Sequence, residues 1–340
     1  MNVLNMTVLA ATALAAFLLT ALLGKKLIPV LHRLKFGQTI RDIGPAWHKN
    51  KQGTPTMGGI LFIIGTLAAF AAALFVCEMW VPLEWPILDA PPATLTRLFS
   101  GVILALCCGA VGFLDDYIKV VKKRNLGLTE KQKLFGQLLV SLGYALSVYM
   151  AQGTAIHIPF FGDVELGVWF IPLCMFVILS ETNAVNFTDG IDGLCGTVSF
   201  VVTLFFLIVA GATGYFGQSV LAAALGGALV GFLVWNLHPA KVFMGDTGSL
   251  FIGGAICALA FGIGRPLLLL PAGIVYLTEM LSVVLQVTYF KLTHGKRLFK
   301  MSPLHHHFEM SGWSENKIVT VFTLLTIAGG AVGMLFVLYA

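Results

Sequence analysis

Long apolar runs alternate with short polar stretches along the chain, and most of the runs approach the length of a bilayer-crossing helix. Runs at 3–23, 58–81, 98–114, 134–150, 168–185, 194–212, 221–236, 250–264, 267–289 and 318–339 predict ten spans, because about 20 apolar residues cover about 30 Å of hydrocarbon. The runs at 168–185, 221–236 and 250–264 are short or polar-ended, so nine spans with a re-entrant piece is the alternative count. Backbone in lipid must satisfy its own hydrogen bonds, and the runs lack the two-residue alternation of an outer-membrane barrel, so the spans are predicted to be helices. The segment 155–167, with Pro159, Gly162 and alternating apolar residues, predicts a small hairpin outside the bilayer. No internal repeat points to an inverted-repeat transporter.

Composition strengthens this pattern. The 340 residues are 58% hydrophobic and 11% charged, with a mean hydropathy of +0.90. Soluble domains average roughly 45–50% apolar and about 25% charged, so a disordered chain, a disulfide scaffold and a coiled coil are excluded. The six cysteines lie in or beside apolar runs, without CxxC pairs or zinc spacing, and read as core-filling side chains. The first run has basic residues after it and none before it, the reverse of a cleaved leader, and is predicted to be a retained span.

The net charge of +5 does not indicate nucleic acid, because position matters more than number. All but Arg97 and Arg265 of the 21 Lys and Arg fall at 25–51, 119–133, Lys241 and 291–317, which are alternate loops. The intervening loops carry Glu84, Asp89, Asp163 and Glu165. By the positive-inside rule the basic side is cytoplasmic and both termini lie outside.

Five polar groups then stand out, all on the cytoplasmic side of this topology. Asp115 and Asp116 end the third span in GFLDDYIKV. Adjacent helical residues point about 100° apart, so one carboxylate can face a ligand while the other holds a lysine or a metal; the plainer reading is a solvated helix end beside Lys119 and Lys122. NAVNFTDGIDGL (183–194) joins the fifth and sixth spans, with Asp189 and Asp192 between glycines that free the backbone. In WNLHPAKVFMGDTGSL (235–250), Gly245 to Ser249 lead into the eighth span, suited to phosphate at a helix N-terminus with Asp246 ready for a hard cation. SPLHHHFEMSGW (302–313) carries His305, His306 and His307, which cannot all ligate one ion from one helix and instead divide phosphate contact, hydrogen bonding and packing. HKNKQGTPTMGG (48–59) offers Lys and Thr donors to anions. Aspartates, lysines, histidines and glycine turns on one membrane face suit a Mg²⁺-dependent enzyme that handles phosphates, joining a lipid to a soluble anion.

The motifs GTPTMGG, FLDDYIKV, GLTEKQKL, NAVNFTDGIDGL, NLHPAKVFMGDTGSL and SPLHHHFEMSGWSE together resemble those of the phospho-N-acetylmuramoyl-pentapeptide transferases, a branch of the polyprenyl-phosphate N-acetylhexosamine 1-phosphate transferases. They run in family order across essentially the whole chain. The resemblance implies a single all-α integral membrane domain spanning 1–340, with ten transmembrane helices, a cytoplasmic cleft and a homodimer. It implies that UDP-N-acetylmuramoyl-pentapeptide and undecaprenyl phosphate give lipid I and UMP in peptidoglycan synthesis, with Mg²⁺. It places catalysis at Asp115, Asp116, Asp246 and His305, and the metal on Asp246 and Asp115. Substrate positions implied are Lys51, Thr56, Asn183, Asn186, Asp189, Asp192, Asn236, Phe243, Gln286, His306 and His307, with Lys119 and Lys131 attracting phosphate and Phe243 stacking on uracil. Direct attack by the lipid phosphate and a covalent phospho-sugar on an aspartate are both open routes. The alternatives are a sister enzyme transferring N-acetylglucosamine 1-phosphate, disfavoured by the histidine loop, and a lipid-phosphate transporter, toward which only mid-span Glu279 leans.

Overall fold

A computed structural model describes residues 3–33, 51, 53–80, 87–121 and 127–339. Of the sequence expectations, those on Lys35, Arg41, His48, Lys49, Asn50, Gln52, Glu84, Lys122, Lys123 and Arg124 lie outside the described residues. The helices are α1 (Val3–Arg33), α2 (Gly59–Met79), α3 (Pro92–Val121), α4 (Glu130–Met150), α5 (Phe170–Thr188), α6 (Leu194–Ala212) and α7 (Phe216–Asn236). They continue with α8 (Gly245–Gly262), the short α9 (Leu269–Ala272), α10 (Ile274–Leu292), the short α11 (Leu304–Glu309) and α12 (Glu315–Tyr339). Among the described residues nine helices have the length and apolar composition of a membrane span. The chain is therefore a multi-pass, helical membrane protein. At 21 residues, α4 matches α2 and α7 in length but opens on Glu130, Lys131 and Lys133.

Burial sorts the helices into an inner and an outer set. α8 is buried along nearly its whole length and α7 along most of it. α1 and α12 present exposed apolar side chains, including Leu14, Leu18 and Leu22 on one and Leu324, Ile327 and Leu335 on the other. An apolar exterior is expected where the solvent is lipid, so hydrophobicity cannot distinguish inside from outside; small residues that allow close backbone approach do. α3 packs along α8 through such a stripe, with Gly101 against Ala258, Ala105 against Gly254 and Gly109 against Phe251.

The predicted hairpin is present: β1 (Ala155–Ile158) pairs antiparallel with β2 (Gly162–Glu165), Ala155 opposite Glu165. Arg97 at the start of α3 is 8% exposed and fastens it, donating from Nε to the Gly153 carbonyl at 3.0 Å and from Nη2 to the Ala155 carbonyl at 2.7 Å. This explains one of the two basic residues outside the basic stretches. Eighteen residues separate Arg97 from Asp115 on α3, which at 1.5 Å per residue puts the hairpin roughly 27 Å from the aspartates.

Three predicted boundaries move. α3 runs on to Val121, so Asp115 and Asp116 lie within a helix and not at its end. α8 begins at Gly245, so the GDTGS residues form its first turn and do not precede it. The run at 267–289 is not one helix: a 3₁₀ turn and α9 stop at Ala272 and α10 starts at Ile274, because Pro271 has no N–H to donate and its ring obstructs a continuous helix.

Candidate functional site

The polar ends of the helices converge. The C-terminal ends of α3, α5 and α7 meet the N-terminal ends of α4, α6 and α8, and two clusters of charge form there.

The first cluster joins α3, α4, α5 and α8. Asp115, Asp116 and Asp246 each bring a carboxylate oxygen into a group whose members lie within 4.8 Å of one another. Asp116, 2% exposed, is spent on α8: its Oδ2 accepts from the Thr247 N–H at 2.9 Å and the Thr247 hydroxyl at 2.8 Å. Asp115 accepts the Leu128 N–H on Oδ1 at 2.8 Å, and its Oδ2 lies 2.5 Å from Lys119 Nζ. Asp246 is the most open of the three, with 18% of its side chain exposed, and holds Lys119 and Lys133 at 3.0 Å each. Asn186 from the end of α5 donates to Asp246 Oδ1 at 2.8 Å while its own oxygen accepts from Lys133 at 3.3 Å. Three carboxylates face two ammonium groups, leaving an excess of negative charge among all-oxygen donors; this set fits a hard divalent cation such as Mg²⁺.

Lys133, and not the predicted Lys131, occupies this cluster. A capping box starts α4: Thr129 Oγ1 accepts the Gln132 N–H at 3.3 Å and Gln132 Oε1 accepts the Thr129 N–H at 3.0 Å. From there the buried residues Gln137, Ser141, Tyr144 and Val148 mark the inner face, and four residues before Gln137 is Lys133. Lys131, two residues away and about 200° round the helix, is exposed.

The second cluster joins the residues before α2 and α6 and the first residue of α12 to those after α7. Lys51 Nζ lies 2.7 Å from both Asp192 Oδ1 and Glu315 Oε2. Asp192 Oδ2 accepts from the Ala240 N–H at 3.0 Å and lies 2.9 Å from His238 Nδ1. Asp192, His238 and Glu315 also have ligand atoms within 4.8 Å of one another; Lys51 Nζ lies between the two carboxylates here, as Lys119 Nζ lies among Asp115, Asp116 and Asp246 in the first cluster, and a histidine and one fewer carboxylate make this the less oxygen-rich set. Asp189, in the loop after α5, has its carboxyl pushed well above the usual range by burial and then by the charges of Asp246, Asp116 and Asp192.

The remaining predicted residues take supporting places. Thr56 Oγ1 and Asp116 Oδ2 both abut Gly245, 2.7 Å and 2.5 Å from where a Cβ would lie. Asn236, 3% exposed, accepts from the Gly193 N–H at 3.2 Å and donates to the Val242 carbonyl at 2.9 Å, bracing two loops. Asn183 donates to Gln137 Oε1 on α4 at 3.1 Å and to the Leu179 carbonyl at 2.8 Å. Phe243 is half-buried, with its backbone N–H bonded to the Pro55 carbonyl at 2.8 Å. Gln286 spends its amide on the loop after α10, accepting from the Leu298 and Phe299 N–H groups at 3.0 and 2.9 Å.

The three histidines diverge as expected. His305, fully buried, has its N–H and Nδ1 each 3.2 Å from the carboxylate oxygens of Glu279. Its Nε2 is aimed at Gly190, where a Cβ would lie 2.1 Å away. His305 therefore backs the Asp189 loop, between Glu279 and Gly190. His306 Nδ1 is 2.6 Å from Glu309 Oε2, and His307 Nδ1 accepts the Lys300 N–H at 3.2 Å. Glu279 thus has a partner across the fold, which removes the feature that leaned toward a transporter.

A profile of glycosyl transferase family 4 matches residues 98–263, the stretch from α3 to the end of α8 that carries the aspartate cluster. A phospho-N-acetylmuramoyl-pentapeptide-transferase signature matches residues 51–63, from Lys51 into α2. Proteins named phospho-N-acetylmuramoyl-pentapeptide-transferase are similar over nearly the whole chain. That of Clostridium perfringens is 46% identical over 313 residues, 92% of this chain and 91% of its own length. Those of Halalkalibacterium halodurans and Desulforamulus reducens are 44% and 47% identical, each covering 98% of this chain and 96% of the relative. The chain belongs to the phospho-N-acetylmuramoyl-pentapeptide transferase family.

Proposed function

We propose that this transferase moves phospho-N-acetylmuramoyl-pentapeptide from its UDP conjugate to undecaprenyl phosphate, forming lipid I and UMP for peptidoglycan synthesis. The observation that carries the reading is the meeting of Asp115, Asp116 and Asp246 with Lys119 and Lys133 at the polar ends of membrane helices. A lipid phosphate and a nucleotide pyrophosphate repel each other, and a site that brings them together needs cations fixed beside them.

In this reading Asp246 and Asp115 hold Mg²⁺, which when bound offsets charge on the phosphate oxygens. Lys119 and Lys133 attract the phosphates, and Asn186 fixes Asp246 through one amide and Lys133 through the other end of the same side chain. Asp116 holds the first turn of α8 in register through Thr247, so that Asp246 faces α3. Lys51 and Phe243 serve the nucleotide, and Asp192 positions Lys51. Charge alternation and family resemblance support ten crossings with α4 included, both termini outside, the site facing the cytoplasm, and a homodimer.

The test is turnover of purified protein with undecaprenyl phosphate, Mg²⁺ and each UDP-sugar in turn, scoring UMP and lipid product. UMP formed with the muramoyl-pentapeptide conjugate is expected, and Asp246→Asn is expected to cut it by at least about 100-fold. UMP formed only with UDP-N-acetylglucosamine would overturn the substrate, and near-normal turnover of Asp246→Asn would remove that residue from the site. Rapid quenching with labelled sugar phosphate separates direct attack from a covalent route, since only the latter leaves label on the protein.

A further inference from the structure

Glu315 opens α12, and a carboxylate in a first helical turn is ordinarily explained by the helix dipole alone. Here its side chain is 10% exposed and turns to the second cluster. A single oxygen, Oε2, accepts from Lys51 Nζ at 2.7 Å and from the Asp192 N–H at 3.0 Å. Lys51 lies 264 residues away in the chain, so these contacts exist only in the folded protein. An ammonium group has three N–H donors. Among the described residues Glu315 and Asp192 take two of them, and Lys51, 16% exposed, keeps a third to offer a ligand. Asp192 cannot hold Lys51 in this pose alone, because its other oxygen is committed to Ala240 and His238.

We propose that Glu315 is a positioning residue for the UDP-substrate: it fixes both the Lys51 ammonium and the backbone of the Asp192 loop, so that Lys51 presents its remaining N–H to the nucleotide. The inference rests on the reading that Lys51 belongs to the nucleotide site. Glu315 touches neither substrate in this scheme, and its loss acts on nucleotide binding only, leaving the aspartate cluster intact.

The experiment measures steady-state kinetics of the full-length enzyme with the UDP-muramoyl-pentapeptide and undecaprenyl phosphate varied separately, for Glu315→Ala, Lys51→Met and the double variant. Loss of a charge-assisted hydrogen bond predicts a KM for the UDP-substrate raised about tenfold in Glu315→Ala. The Ki of UMP rises in parallel, kcat stays within about twofold, and KM for the lipid phosphate is unchanged. Glu315→Gln, which keeps an acceptor without the charge, gives a smaller rise and serves as the folded comparison if the alanine variant does not accumulate. Because Glu315 acts through Lys51, adding Glu315→Ala to Lys51→Met raises KM by less than about twofold further. A fall in kcat at unchanged KM, or effects that multiply in the double variant, overturns the proposal. If Lys51→Met raises KM and Glu315→Ala does not, the Glu315 role alone is wrong; if Lys51→Met leaves KM unchanged, the nucleotide assignment of Lys51 is wrong and the Glu315 role falls with it.

Discussion

Gly112 marks the point where the spacing of two helices sets the spacing of the aspartates. A Cβ at Gly112 would lie 2.1 Å from the Asp246 carbonyl oxygen and 2.7 Å from the Thr247 nitrogen. Carbon and oxygen tolerate about 3.3 Å, so α3 and α8 must separate by roughly 1.2 Å to admit one methyl group. Both obstructing atoms are backbone, and no rotamer change relieves the clash. One turn further on, α3 carries Asp115 and Asp116, while the obstructing residue on α8 is Asp246 itself. Overpacking of this kind costs about 1–3 kcal/mol of stability, and a 1 Å misplacement of catalytic groups costs about 100-fold in rate. Gly112→Ala is therefore expected to remain folded and to release UMP about 100-fold more slowly, measured in detergent beside the thermal midpoint. Gly143→Ala is the control, because nothing lies within 4 Å of a Cβ there. A folded Gly112→Ala variant that keeps more than about a third of wild-type turnover would refute the argument that the α3–α8 approach sets the site.

Two further outcomes follow from the clusters. Lys133→Met is expected to lower kcat/KM at least about tenfold, since Lys133 neutralises Asp246 and binds Asn186, whereas Lys131→Met leaves it within about twofold; equal losses would show that general surface charge matters and not the face of α4. Asp189 has its carboxyl held above the usual range by burial and by Asp246, Asp116 and Asp192, so the folded state favours the neutral form. Ionisation then costs stability as pH rises above the unfolded value of about 3.9. Asp189→Asn is expected to melt higher than wild type at pH 8, with the gain shrinking toward pH 4; a gain independent of pH would refute it.

Much of the fold was legible because lipid imposes a severe rule on the chain: apolar runs of sufficient length must be helices. That rule found the spans but not their ends, since Asp115, Asp116 and Asp246 are polar residues that nevertheless lie inside helical turns. The break at Gly273 is hidden for the opposite reason: the residues on both sides of Pro271 are apolar, and hydropathy does not register a missing N–H. The capping box is a local signal that sets the start of α4 and hence its inner face, which carries Lys133 and not Lys131.

The residue order by itself determined the class of protein, the helices apolar and long enough to cross a membrane, and the gathering of the charged motifs at their ends. Those depend on composition, on local periodicity and on charge counted loop by loop. Tertiary structure decided which charges touch. His305 is buried behind Gly190 on Glu279, and Glu315, the last residue of the same motif, holds Lys51 and the Asp192 loop. The physical reason is that hydrogen bonds act over about 3 Å, and only the packing of α3, α5, α8 and α12 brings groups from distant parts of the chain within that range.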